Sequence, residues 1–239
     1  LPIFIHQTLG FNTLITGLVI SLQYFSTVLF RGYAGKIVDT KGPKIAVRYS
    51  MLIFICSGIG LGLAYYMREY PLISLGLLVL TRLLTGGAEG LVGASPINWA
   101  IMAVGPQHTA KAISFNGIAS YGGMAIGAPL GLMLVNWESL YSISILISTL
   151  GILGYFFVRT KTNLIAQSNA PQLSFYKVLK KVAPFGICLA LGGIGFGSIS
   201  TFMTLYYAHF NWTNGALCLS VFGFMFILAR LVFNNAISN

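Results

Sequence analysis

The sequence predicts an all-α integral membrane protein, and two observations support this prediction. Hydrophobic residues make up 56% of the 239 residues, charged residues make up 8%, and the mean hydropathy is +0.82. A soluble domain carries about a quarter charged residues, so this chain has too few charges to solvate the surface of a globule. The apolar residues also form long runs separated by short polar segments. Lipid must therefore be the solvent for most of the surface.

The apolar runs predict about eight membrane spans. The first is a stub that ends near Gln7. The chain begins without a methionine and ends as another run finishes, so we expect it to be truncated at both ends. Each complete run is near or above the roughly 20 residues that cross the hydrocarbon core. The seven further spans cover residues 13–37, 45–67, 72–104, 112–135, 140–158, 182–207 and 215–237.

The basic residues between the spans predict the orientation of the chain. Of the 14 lysines and arginines, ten fall on one side of the membrane, one falls on the other, and three lie within spans. Basic loops stay in the cytoplasm, so the loops that follow the second, fourth and sixth spans are predicted to be cytoplasmic. The net charge of +10 therefore reflects topology and not nucleic-acid binding. We expect a multi-pass protein of a bacterial inner (cytoplasmic) membrane.

The segment after the second span indicates a tight, charged turn. It reads Gly35-Lys-Ile-Val-Asp39-Thr-Lys-Gly42-Pro-Lys44. Gly35 would let a neighbouring helix approach closely, and the Gly-Pro pair permits a sharp turn. The Asp39 carboxylate can interact with a helix N-terminus or with an arginine. An ordinary polar loop is the alternative interpretation.

The fourth span carries ionisable residues inside an apolar run. Arg82, Thr85, Gly86, Glu89 and Gly93 follow one another at helical spacing and share one face. A charged residue facing lipid would cost roughly 2.5–3.5 kcal/mol, so this face is predicted to look into the bundle or a wet cavity. Desolvation favours the neutral form of Glu89 and a nearby cation favours the charged form, which makes it a candidate proton carrier. The alternative is a charge that Arg82 or another helix neutralises for packing alone.

The fifth span is rich in small residues. Gly123, Gly127 and Gly131 lie four residues apart and predict a flat seam for close helix contact, while Pro129 predicts a kink. Lone amides and phenols within the spans are candidates for lining a cavity, with bridging between helices as the alternative. They are Gln23, Asn98, Asn116 and Tyr121.

The second and eighth spans align without a gap at a shift of 199 residues. In this alignment Phe11-Asn12 matches Phe210-Asn211, and Arg31 matches Arg230. Six spans separate the two copies, so they have the same orientation and predict two parallel six-helix halves. Chance similarity between two apolar helices is the alternative. The longest polar connection follows the sixth span and divides the chain into three parts. These are a first half at residues 1–158, a cytoplasmic connection at 159–181 and the start of a second half at 182–239.

These patterns resemble the Major Facilitator Superfamily, whose fold has twelve spans, of which about eight would be present here. The segment from Gly35 to Lys44 is similar to the family signature Gly-x-x-x-Asp-Arg/Lys-x-Gly-Arg/Lys-Arg/Lys, although Thr40 and Pro43 depart from it. The resemblance implies that four of its residues form a conformational latch for the outward-facing state. They are Gly35, Asp39, Gly42 and Lys44.

Two spans resemble signatures of particular branches of that family. The fourth span resembles the Arg-x-x-x-Gly signature of proton-coupled members, beginning at Arg82. The fifth span resembles the Gly-x-x-x-Gly-Pro-x-x-Gly-Gly signature of exporters, with Pro129 displaced by one position. The arabinose-efflux-like and drug:proton antiporter branches are the most similar.

The resemblance implies a secondary active transporter that works by alternating access. Our leading hypothesis is proton-coupled efflux of a small organic solute, such as a sugar or a drug-like molecule, with Glu89 as the proton carrier and Arg82 as its modulator or an anion contact. The alternatives are a proton-coupled uptake symporter and a sensor or receptor that does not transport. An enzyme is not expected, because no nucleophile–base pair or metal cluster is recognisable. The expected partners are the bilayer, a solute and protons, with no cofactor, metal or nucleic acid, and the full-length protein is expected to be monomeric.

Overall fold

The structure, a computed structural model, describes residues 1–137, 140–164, 175–210, 212 and 215–237. Within these residues the chain is helical apart from short connections. A π-helical turn at Phe4–Thr8 and a short 3-10 turn at Pro106–His108 accompany the α-helices. The α-helices are α1 (Thr13–Lys41), α2 (Pro43–Tyr66), α3 (Pro71–Val92), α4 (Ser95–Val104), α5 (Thr109–Trp137), α6 (Leu140–Arg159), α7 (Phe175–His209) and α8 (Gly215–Ile237).

Four helical stretches in the described ranges are long and apolar enough to cross a membrane. They match the predicted second, third, fourth and sixth spans, and they are Thr13–Lys41, Pro43–Tyr66, Pro71–Val104 and Leu140–Arg159. The predicted fifth span, residues 112–135, lies within α5. Shorter apolar stretches lie in α7 and α8, at Ala190–Ile199 and Leu217–Ala229. The prediction of an all-α membrane fold is confirmed.

The fourth predicted span is divided into two helices. α3 ends at Val92, α4 begins at Ser95, and the two residues between them form a turn. Pro96 lies in the first turn of α4 and has no N–H with which to continue the hydrogen-bond ladder of α3. Glu89 therefore lies in the last turn of α3.

The first half of the chain packs through small residues and buried hydroxyls. α3 lies between α1 and α2, and α2 also packs against α6. Gly90 of α3 is so close to α1 that an added Cβ would lie 2.8 Å from the Cβ of Phe30. The Ser144 hydroxyl of α6 donates to the carbonyl of Gly58 in α2 at 2.7 Å. Lipid tails are as apolar as leucine, so close backbone contact and hydrogen bonds of this kind hold the helices together.

α5 packs against α8, across the boundary between the two predicted halves. The ring of Tyr121 stacks on that of Phe226 with the centroids 4.0 Å apart. Gly223 of α8 faces the same stretch of α5, since an added Cβ would lie 3.1 Å from the Tyr121 carbonyl oxygen and from the Cβ of Ala125. The division of the chain at residues 158 and 182 stays a prediction, and residues 165–174 of the connection lie outside the described part.

The predicted glycine seam of α5 lies away from this contact. A Cβ added at Gly123, Gly127 or Gly131 would meet no atom of the described structure within 4 Å. Pro129 lies inside the helix, as predicted from its position in the run. The described approach of α5 to another helix therefore uses the face of Tyr121 and Ala125, and close contact along the seam stays a prediction.

Candidate functional site

The most connected polar group inside the spans lies between α1 and α3. Asn12 caps the start of α1, its side chain accepting from the Ile15 N–H at 2.9 Å, which fixes where this helix begins. Gln23 and Thr27 are four residues apart on α1 and share a face. Gly86 of α3 lies against this face, with only 2.8 Å between an added Cβ and the Cβ of Ser26. The absence of a side chain at Gly86 lets the polar residues of the two helices meet.

The side-chain amide of Gln23 bridges Arg82 and Glu89. Its Nε2 donates to Glu89 Oε1 at 2.7 Å, and its Oε1 accepts from Arg82 Nη1 at 2.8 Å. Thr27 Oγ1 lies 3.3 Å from Glu89 Oε2 and 2.9 Å from the Gln23 carbonyl oxygen, and it can donate to either. This orientation of the amide is the one that gives the cation an acceptor and the carboxylate a donor. The structure thus connects Arg82 and Glu89 through the Gln23 amide. We call Gln23, Thr27, Arg82 and Glu89 the bridge.

The residues of α3 beside Arg82 connect this group to α2. Arg82 Nε is buried and has no hydrogen-bond partner among the described atoms. One turn further along α3, the Thr85 hydroxyl lies 2.6 Å from that of Ser57 on α2, and the Ser57 hydroxyl lies 3.2 Å from the Thr81 carbonyl oxygen. Polar contacts therefore run through three adjacent helices at one depth of the bundle.

A cavity of about 390 Å³ opens beside Arg82. Its walls come from α2, α3 and α6, and Arg82 and Thr85 are its polar residues. The remaining lining residues are apolar: Met51, Phe54, Ile147, Leu150 and Gly151.

The other predicted pathway residues lie elsewhere. Asn116 lines a cavity of about 570 Å³ between α4 and the start of α5, together with His108 and Lys111. Asn98 is exposed on α4. Tyr121 faces α8, where it stacks on Phe226. Of the predicted pathway residues, Arg82 and Glu89 on α3 therefore lie together, whereas those on α4 and α5 lie apart from them.

Two residues of the bridge were not among the predicted pathway residues. Gln23 was a candidate for lining a cavity, with bridging between helices as the alternative, and the structure shows the bridge; Thr27 was not predicted. Their spacing of four residues within an apolar run was the available signal, because it places two polar side chains on one helical face.

The signature segment is more helical than the sequence predicted. α1 continues to Lys41 and α2 begins at Pro43, so Asp39 lies within α1 and Gly42 alone links the two helices. Gly42 has a φ of 89°, in the left-handed region that favours glycine. Asp39 is exposed, and an added Cβ at Gly35 would meet nothing within 4 Å. The close helix approach expected at Gly35 is therefore not made by the described residues.

The start of the connection after α6 docks on this link. Lys44 Nζ donates to the Arg159 carbonyl oxygen at 3.0 Å and also to the Lys161 carbonyl oxygen. Asn163 Nδ2 donates to the Lys41 carbonyl oxygen at 2.8 Å. A Cβ at Gly42 would lie 2.9 Å from the Leu164 backbone carbonyl oxygen, so the close fit favours glycine. Gly42, Lys44 and Asn163 form what we call the clamp.

Comparison with known proteins gives one consistent family. The model of the Major Facilitator Superfamily matches residues 1–237. An uncharacterized MFS-type transporter of Pseudomonas aeruginosa (strain LESB58) is 49% identical over 238 residues, which are 100% of this chain and 59% of that protein. Another, of Burkholderia mallei (strain SAVP1), is 45% identical over 237 residues, which are 99% of this chain and 58% of that protein. No solved structure matches the chain.

This chain therefore spans less than two thirds of the length of these relatives, both of which are named as transporters and not as enzymes. The family model covers nearly every residue, including all the helices described above. The chain belongs to the Major Facilitator Superfamily.

Proposed function

We propose that the full-length protein is a secondary active transporter that couples proton movement to the export of a small organic solute by alternating access. The observation that carries this proposal is the hydrogen bonding of Glu89. Its carboxyl group lies inside a span, and its described hydrogen bonds come from the neutral donors Gln23 and Thr27. A carboxylate held in this way can be neutralised by a proton without breaking an ion pair. Membership of the family supports transport as the activity.

Protonation of Glu89 would change the bonds between α1 and α3. In the present arrangement Gln23 Nε2 donates to the carboxylate and Gln23 Oε1 accepts from Arg82. A protonated carboxyl group carries its own O–H, which needs an acceptor, and Oε1 of a rotated Gln23 amide can supply one. That rotation would turn the amide N–H groups toward the guanidinium of Arg82. Both groups are hydrogen-bond donors, so the bond between Gln23 and Arg82 would be lost. Proton uptake at Glu89 would therefore release Arg82, which could then take an anionic or polar group of the solute.

Export, as opposed to uptake, is supported by the small-residue pattern of α5, whose proline is displaced from the exporter signature. Uptake by symport is the competing proposal. We also propose that Gly35, Asp39, Gly42 and Lys44 act in the conformational latch. Gly42 and Lys44 would do so through the clamp, which they form with Asn163. Asn98, Asn116 and Tyr121 are proposed as solute contacts away from the bridge.

The test is the variant Glu89→Gln in vesicles that contain the purified full-length protein. A pH dye trapped inside reports proton movement while a panel of pentose sugars and amphipathic dyes is offered as solute. We expect solute binding to persist and solute-driven proton flux to be lost, because the amide cannot carry a proton. Glu69→Gln is the matched control, since Glu69 is exposed in the turn between α2 and α3.

Three results would change the proposal. Normal proton flux in Glu89→Gln would remove Glu89 from the mechanism. Protons and solute moving in the same direction in the wild-type protein would favour the symporter. Binding without flux in the wild-type protein would favour a receptor.

A further inference from the structure

Basic side chains from two helices face each other at the predicted cytoplasmic end of the bundle. Lys44 and Arg48 are four residues apart on α2 and share a face, and Tyr155 and Arg159 do the same on α6, against which α2 packs. Lys44 Nζ donates to the Arg159 carbonyl oxygen at 3.0 Å, and Arg48 Nη2 donates to the Tyr155 hydroxyl at 2.8 Å. We call these four residues the basic corner.

The described bonds of the basic corner go to neutral groups. Lys44 uses backbone carbonyls, and Arg48 uses the phenol of Tyr155, with its guanidinium carbon 5.2 Å from the centre of that ring. A guanidinium has five N–H donors, so Arg48 keeps donors beyond this bond, and Arg159 is exposed. α2 begins here, at Pro43, and α6 ends here, at Arg159, so the two opposite helix ends offset each other and the positive charge comes from the side chains. The corner thus presents positive charge that no described bond neutralises.

The surface beside the basic corner is apolar. Large side chains on α2 and α6 are exposed there, from 43% at Leu52 to 66% at Phe157. The others are Tyr49, Leu153 and Phe156. A free inorganic anion would make no use of this surface, whereas the acyl chains of a lipid would cover it. The combination of cationic groups and adjacent apolar surface therefore favours an amphipathic anion.

We propose that the basic corner binds the phosphate headgroup of an anionic phospholipid of the cytoplasmic leaflet. Arg48 and Arg159 are the phosphate ligands, since guanidinium groups suit phosphate oxygens. Tyr155 orients Arg48, and Lys44 holds the end of α6 so that Arg159 stays beside α2. The acyl chains lie along the exposed residues of α2 and α6.

The test is lipid binding to the purified full-length protein, measured by native mass spectrometry during titration with phosphatidylglycerol or phosphatidylcholine. A lysine or arginine near an anionic membrane surface contributes about 1 kcal/mol, which corresponds to about a fivefold change in affinity. We therefore expect about fivefold weaker phosphatidylglycerol binding in Arg159→Gln and about thirtyfold weaker binding in the double variant Arg48→Gln/Arg159→Gln. Phosphatidylcholine binding should be unchanged in both.

The controls separate a specific site from general surface charge. Lys36→Gln/Lys180→Gln removes the same charge from exposed positions outside the corner and should weaken phosphatidylglycerol binding less than Arg48→Gln/Arg159→Gln does. Arg48→Lys/Arg159→Lys keeps the charge and should retain most of the binding. Arg159→Gln changes an exposed helix end and so keeps the test valid if the double variant does not fold.

Three outcomes would overturn the proposal. One is equal loss of phosphatidylglycerol binding in the corner variants and in Lys36→Gln/Lys180→Gln. Another is equal affinity of the wild-type protein for the two lipids. The third is displacement of the lipid by inorganic phosphate at equal concentration, which would assign the corner to a free anion.

Discussion

Replacing Gln23 with leucine tests whether the amide bridge holds α1 and α3 together. The substitution keeps the approximate size of the side chain but removes the bond to Glu89 Oε1 at 2.7 Å and the bond from Arg82 Nη1 at 2.8 Å. Hydrogen bonds to charged groups contribute about 1.5–3 kcal/mol each in soluble proteins. Bonds between membrane helices contribute less, about 0.6 kcal/mol on average and about 1.7 kcal/mol at most, because the unfolded chain in the membrane also finds partners. We therefore expect Gln23→Leu to lower the free energy of unfolding by about 1–3 kcal/mol.

The assay is unfolding of the purified full-length protein by SDS in mixed micelles, followed by helix content. Ser21→Ala is the matched control on the same helix, because the Ser21 hydroxyl is exposed and donates within α1 to the Leu18 carbonyl oxygen. The control should change the free energy of unfolding by no more than about 0.5 kcal/mol. A double-mutant cycle of Gln23→Leu with Glu89→Gln should show an interaction energy of at least about 0.5 kcal/mol.

Two results would refute the bridge. One is a free energy of unfolding for Gln23→Leu that equals that of Ser21→Ala. The other is strict additivity in the cycle, which would mean that Gln23 and Glu89 do not act on each other.

The two remaining predictions concern glycines that sit against another part of the chain. Gly42→Ala should destabilise the protein by about 1–3 kcal/mol, because the backbone conformation of Gly42, with φ 89° and ψ 157°, is strained for any residue with a Cβ. It should also speed proteolysis in residues 160–164, which dock there, and unchanged proteolysis would contradict the clamp. Gly58→Ala should cost about 1–3 kcal/mol, because the new methyl would lie 3.0 Å from the Ser148 backbone nitrogen of α6. Gly76→Ala, at an exposed position of α3 where an added Cβ would meet nothing within 4 Å, is the matched control for SDS unfolding, and an equal effect of both would count against close α2–α6 packing.

The spans could be predicted from the sequence because contact with lipid restricts the amino-acid composition of each span by itself. A stretch that crosses hydrocarbon must be apolar over about 20 residues, and the runs at 13–37, 45–67 and 140–158 show this without reference to any neighbour. The shared face of Arg82 and Glu89 could also be predicted, since helical periodicity is a property of one helix.

Contacts between helices were harder to predict because spacing does not identify the neighbour. The three glycines of α5 showed that a close approach was possible, but Gly223 of α8 meets α5 on the face of Tyr121 instead. The role of Gln23 depends on α1 lying against α3, two helices that are not consecutive in the chain. α1 continues four residues beyond the predicted span 13–37, because charged residues such as Asp39 can extend a helix beyond the apolar core.

One helix connects the two polar sites of the first half. α1 carries Gln23 of the bridge and ends at Lys41, whose carbonyl accepts from Asn163 of the clamp. Lys41 follows Gln23 by 18 positions in one helix, and with a rise of about 1.5 Å per residue this corresponds to about 27 Å of continuous helix. A change in the bonding of Glu89 that moved α1 relative to α3 would therefore reach the clamp as a rigid displacement, with no local unfolding in between. Because Gly42 is the only residue between α1 and α2, it is the position at which such a displacement must be absorbed or passed on.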